Sequence, residues 1–142
     1  MDAAHRTLVV ANRTAATPLL LEEVERRARE RPTTFALLIP DAGSTKHVDW
    51  TLERATELLA HAAGGPVDGL LGGAEPFESV KRALADGQYD DVLISTLPKR
   101  TSEWLRRDLP RRVQGLGVPV TVITPPADDG RQARVIGVGG PM

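Results

Sequence analysis

Thr34-Phe35-Ala36-Leu37-Leu38-Ile39, followed at once by Pro40-Asp41, decides the fold. An unbroken apolar run of this length, closed by Pro and Asp, fits a strand buried on both faces better than a half-solvated one. Four other runs share its character: Thr7 to Ala11, Val67 to Leu71, Asp91 to Ser95 and Pro119 to Ile123. Helical patterns lie between them. The first has Thr17 as N-cap and Pro18 at N1, with Leu20, Leu21, Val24 and Ala28 on one face. Its pairs Glu22/Arg26, Glu23/Arg27 and Glu25/Arg29 stand four residues apart and read as a solvated, charge-paired face. The second starts near Asp49, aligns Leu52, Ala55, Leu59 and Ala62, and stops at Gly64-Gly65-Pro66. The third begins at Pro76, aligns Phe77, Val80 and Leu84, and stops at Gly87. The fourth carries Leu105, Leu109, Val113 and Leu116, but Pro110 cannot donate a helical hydrogen bond. That segment reads as a short turn over 102–107, then a helix capped by the Asp108 side chain. Alternation of strand and helix predicts right-handed crossovers and an open parallel sheet covered by helices on both faces, a doubly wound α/β domain.

The chain has 142 residues, enough for one domain, which the pattern places at 1–124. Residues 125–142 open with Pro125-Pro126-Ala127-Asp128-Asp129-Gly130 and read as a linker plus short tail, in which Arg134 to Val138 has the composition of one extra strand. A net charge of -1 lacks the basic excess of a general nucleic-acid binder, so no nucleic-acid partner is expected. Cysteine is absent, which excludes disulfides, thiolate metal sites and thiol nucleophiles. Apolar runs fall short of the roughly 18 residues a bilayer requires, and the start Met-Asp-Ala-Ala-His-Arg has no basic n-region. A cytoplasmic protein without a membrane partner is the expectation.

Most catalytic chemistry lacks its motif. His5, His47 and His61 are scattered without metal-ligand spacing, so no metal site is expected. No nucleophile elbow, P-loop or dinucleotide fingerprint occurs, and no catalytic residue is assigned. Asp41-Ala42-Gly43-Ser44-Thr45-Lys46 has phosphate-loop composition in the wrong order. In open α/β sheets ligands sit beyond the carboxyl ends of the strands. Here those ends carry Asn12, Arg13, Thr14, Pro40, Gly72, Gly73, Ser95, Thr96 and Lys99, donors and backbone suited to a nucleotide or other small anion. Ordinary turn chemistry accounts for the same residues, and both readings stay open. Between Lys99 and Arg112 six basic residues stand against two acidic ones, either a solvated face or a site for an acidic partner. Trp50 and Trp104 read as packing residues.

The element order, the helix entry Gly73-Ala74-Glu75-Pro76, the strand Tyr89-Asp90-Asp91-Val92-Leu93-Ile94 and the strand Gly117-Val118-Pro119-Val120-Thr121-Val122-Ile123 resemble a universal stress protein domain. The resemblance runs from about Thr7 to Thr124 and is nearest to a divergent actinobacterial branch whose strands read V-A-N-R-T and I-S-T-L-P, within the adenine nucleotide alpha-hydrolase-like superfamily. It implies a Rossmann-like sheet of about five strands in the order 3-2-1-4-5. Nucleotide-binding members carry G-x2-G-x9-G-[ST] after the fourth strand. Laid on this chain, those positions are Ser95, Pro98, Asp108 and Leu109, so all four are replaced. The family's aspartate after the first strand corresponds to Asn12. The resemblance thus implies a non-enzymatic stress-response or regulatory domain that acts through homodimerisation and protein association, with ATP binding weakened or lost and no bound cofactor. Its alternative is a small-molecule module that still takes an adenine nucleotide or other phosphate ligand at the ends of strands 1 and 4. Family dimers imply a contact along the fifth strand, at Val120, Val122 and Ile123.

Overall fold

Five parallel strands make one sheet in the order β3-β2-β1-β4-β5. The structure, a computed structural model, describes residues 5–11, 17–40, 48–73, 75–96 and 108–124, with only the backbone of 48–52. The elements in chain order are β1 His5–Val10, α1 Pro18–Glu30, β2 Thr33–Ile39, α2 Val48–Ala63, β3 Val67–Leu71, α3 Pro76–Asp86, β4 Asp91–Ser95, α4 Leu109–Gln114 and β5 Val120–Ile123. Reversal of strand order at β1 puts α1 and α2 on one face and α3 and α4 on the other. The sheet order is the one expected from the sequence resemblance. The turn expected over 102–107, the tail 125–142 with its candidate strand Arg134 to Val138, and Trp104 lie outside the described residues.

Side-chain alternation divides the core into two layers. Val9, Leu37, Ile39, Leu93 and Ile123 pack under Leu20 and Val24 of α1 and Leu59 of α2. Leu8, Val10, Leu38, Val92 and Ile94 pack under Val80 and Ala83 of α3 and Leu109 and Val113 of α4. The three central strands are buried on both faces, as their apolar runs require.

Four local expectations change. β3 is an edge strand whose Asp68, Gly69 and Leu71 are exposed, because only one side has a strand neighbour and α2 covers one of its faces. β1 and β2 begin earlier than their apolar runs, at His5 and Thr33, since ladder pairing of the backbone continues past the buried side chains. α4 stops at Gln114, leaving Leu116 exposed. Finally, Asp108 occupies the N-cap position of α4, but its side chain makes no capping bond. Its backbone is left-handed, with φ of 61°.

Candidate functional site

The carboxyl ends of β2, β3 and β4 supply the described part of the expected ligand site. Asn12, Arg13, Thr14, Pro98 and Lys99 lie outside the described residues. Pro40, Gly72 and Gly73 come together on one side of the β1 end, Ser95 and Thr96 on the other, as the strand order dictates.

Gly72 is glycine for steric reasons. A Cβ there would stand 2.6 Å from Ser79 Oγ, 2.8 Å from Ser79 Cβ and 3.1 Å from Pro40 Cα. Its N–H donates to the Ile39 carbonyl at 2.8 Å, extending the β2–β3 ladder by one bond. The Gly73 N–H donates to Ser79 Oγ at 2.9 Å, and that hydroxyl donates in turn to the Glu75 carbonyl at 3.0 Å. Both glycine amides are therefore used within the protein, Gly72 in the sheet ladder and Gly73 at the entry to α3. Ser79 was missed in the sequence; its signal is a hydroxyl placed one turn inside a helix that starts with Pro76, where loop amides are within reach.

Across β1, Ser95 and Thr96 are buried, with exposures of 2% and 1%. The Thr96 N–H donates to the Ile123 carbonyl at 2.9 Å, and its hydroxyl pairs with that of Thr124 at 2.8 Å. This hydroxyl pair ties the end of β4 to the end of β5. Thr124, one residue past the apolar run that ends at Ile123, is not legible as a partner in the sequence because its pairing depends on sheet order.

The other described positions that the resemblance aligns with a phosphate loop differ in kind. Leu109 is 2% exposed and anchors α4 in the core. Asp108 keeps a positive φ, which is the backbone conformation a glycine would supply. Its carboxylate is largely exposed, 3.8 Å from Arg111 Nε.

A second polar constellation sits at the opposite, amino ends of the strands. Arg27 near the end of α1 donates from Nη1 to Asp91 Oδ2 at 2.6 Å, from Nη2 to Thr121 Oγ1 at 3.0 Å, and from Nε to Glu23 Oε2 at 2.8 Å. Asp91 Oδ1 also accepts from the Thr7 hydroxyl at 2.7 Å and faces His5 Nε2 at 3.1 Å. Arg26 forks onto both Glu23 oxygens at 3.1 and 2.7 Å. Burial alone raises the Asp91 carboxyl, but the hydrogen bonds from Thr7, Arg27 and His5 and the Arg27 charge outweigh it and hold Asp91 below the usual range. Burial likewise works against Glu23, and the hydrogen bonds and charges of Arg26 and Arg27 turn the balance downward. The solvated face expected on α1 holds for Glu22, Glu25, Arg26 and Arg29, which are exposed, and is corrected for Glu23 and Arg27: the Glu23 side chain is 3% exposed and that of Arg27 14%. The position of Glu23 between Leu20 and Val24, on the apolar stripe, was the available signal.

The described residues hold no group of three His, Asp or Glu side chains able to bind a metal. No described helix is long and apolar enough to cross a membrane.

No family model matches the sequence. No curated protein matches it. Solved structures do. The fold is similar to a universal stress protein in complex with cAMP, at a TM-score of 0.62 and 12% identity over 86% of this chain and 98% of that one. It is also similar to a universal stress protein from Archaeoglobus fulgidus, at a TM-score of 0.60 and 16% identity over 84% of this chain and 93% of the other. The chain thus has the doubly wound α/β fold of universal stress proteins.

Proposed function

We propose that this chain is a universal stress protein-like stress-response or regulatory domain, 1–124 followed by a linker and tail, that is not an enzyme. It works in the cytoplasm through homodimerisation and protein association, with ATP binding weakened or lost. The observation that carries this reading is the internal use of the donors at the strand ends. The Gly72 and Gly73 amides and the Thr96 hydroxyl all have protein partners, and a phosphate would have to displace them. Leu109 at the Ser/Thr position of the phosphate loop is a core residue and offers no hydroxyl.

The cAMP carried by one structural neighbour favours a second reading, an adenine mononucleotide site. A single phosphate needs far less of a glycine loop than a triphosphate does. Asn12, Arg13, Thr14, Ser95 and Lys99 are the residues this reading assigns to it.

Thermal unfolding of the purified chain with ATP, with ATP and magnesium, and with cAMP separates the two. A ligand at 100 times its Kd adds about 2.7 kcal/mol, a rise of roughly 5–10 °C for a domain of this size. No shift with any of the three supports the association reading. A shift with cAMP alone selects the mononucleotide site, and a shift with ATP overturns the weakened triphosphate site.

A further inference from the structure

Edge strand β3 is covered unequally. α2 packs on one of its faces, but α3 must carry the chain from β3 past β2 and β1 to β4, and so it sits over β1 and β2 instead. This leaves a groove of about 300 Å³ between β3 and α3, with Leu38 and Leu70 as its apolar floor. Leu71, 48% exposed, stands beside it at the strand end.

The free edge has defined donors. The Gly72 N–H points to β2, and alternate residues of a strand send their main-chain groups to the same side. Val67, Gly69 and Leu71 therefore turn N–H and C=O outward, where no described strand pairs with them.

Charge decides what fits there. Glu75, Glu78 and Asp86 stand on the groove wall with Arg82 as the one described cation, and Asp68 lies on the same face of β3. A second copy of this edge would bring acidic walls together, so self-pairing is disfavoured. An added strand would place one set of alternate side chains against these acids and the other set beside Leu71.

We propose that the β3 edge and its groove receive an extended segment of a partner protein in which basic and apolar residues alternate, joined to the sheet as a sixth strand. The inference deepens the association reading above by giving a partner its chemistry. It does not involve the β5 edge.

The test is fluorescence anisotropy of the full chain with a labelled decapeptide of alternating Lys and Val. The expected result is saturable, salt-sensitive binding, with Glu/Val peptide at least tenfold weaker. Gly69→Pro removes an outward N–H but no β2–β3 ladder bond, and edge positions tolerate proline. It should abolish binding while circular dichroism and thermal unfolding stay near the parent's. A peptide N-methylated on alternate residues should fail against the unaltered protein, which checks the same point without any protein variant. Glu78→Lys with Asp86→Lys should weaken binding about tenfold. Absence of saturable binding, or binding indifferent to both Gly69→Pro and N-methylation, overturns the proposal, the latter as plain charge attraction. Sedimentation showing that Gly69→Pro dissociates a dimer puts a second copy on this edge and also overturns it. A Val122→Lys protein that loses dimerisation but binds peptide normally shows the two association readings failing or holding separately.

Discussion

Arg27 and Asp91 lie 64 residues apart in sequence and meet at 2.6 Å, fastening the last turn of α1 to the first residue of β4. Each side chain is only 14% exposed. A pair this far from water contributes through what its loss would leave behind: removing one partner strands a charge in a poorly solvated place. Arg27→Ala, which strands both Asp91 and part of Glu23, should lower unfolding free energy by about 3 kcal/mol. Arg27→Met with Asp91→Val should lose less than either single change. Urea denaturation with an unchanged m value checks both.

The same network sets an acid limit. The folded-state carboxyls of Asp91 and Glu23 are lowered relative to the unfolded chain. Their stabilisation is therefore fully present above the ordinary carboxylate range and lost as pH falls through the lower folded values. Stability should be flat near neutrality and decline from about pH 5 downward. Asp91→Asn should be less stable at pH 7 and show a shallower acid decline. Equal slopes for the two proteins between pH 5 and 3 would place the acid sensitivity elsewhere.

Gly72→Ala tests whether that glycine serves packing. The new Cβ meets Ser79 and the Pro40 backbone, so the protein without any ligand should lose about 1–3 kcal/mol. Ser79→Gly should couple to it in a double-mutant cycle, with incomplete relief because Pro40 Cα stays. A Gly72→Ala protein as stable as the parent would return Gly72 to the list of ligand-approach residues.

At Asp108 the positive φ gives a change in the other direction. An L residue held left-handed is strained, and glycine relieves that strain by more than the stability its extra freedom in the unfolded chain costs. Asp108→Gly should therefore raise stability by up to about 1 kcal/mol, or roughly 2–4 °C in Tm. A destabilised variant would show that the Asp108 carboxylate, near Arg111, matters more than its backbone.

The sheet was legible because its central strands are buried on both faces, and β1, β2 and β4 announce that in runs such as Leu8-Val9-Val10. Helix entries were legible where Pro18 and Pro76 fall at the first turn. What stayed hidden depends on partners far apart in sequence. Glu23 and Arg27 look like a surface pair until Asp91 and Thr121 are brought under α1 by the strand order. Gly72 and Gly73 look like a phosphate cradle until Ser79 is seen filling it. Asp108 looks like a capping side chain because type and spacing fit, and only the structure shows that it makes no capping bond.

The two sheet edges differ in a way that bears on dimerisation. β3 carries Asp68 and Gly69, a charge and a poor strand former at an exposed edge, the usual protection against self-pairing. β5 reads Val120-Thr121-Val122-Ile123 without any charge. Ile123 is 1% exposed and belongs to the core, and Thr121 is held by Arg27, so Val120, Val122 and the outward backbone are what β5 can offer a partner. A second copy paired about a two-fold axis satisfies that edge with itself. Val122→Lys should therefore shift the protein from dimer to monomer in sedimentation at tens of micromolar, with unfolding of the monomer close to that of the parent. Removal of residues after Thr124 separates this arrangement from a cover supplied by the chain's own tail: a truncated protein that stays dimeric keeps the contact on β5 itself. If the parent sediments as a monomer, or Val122→Lys leaves the dimer intact, the β5 contact is wrong.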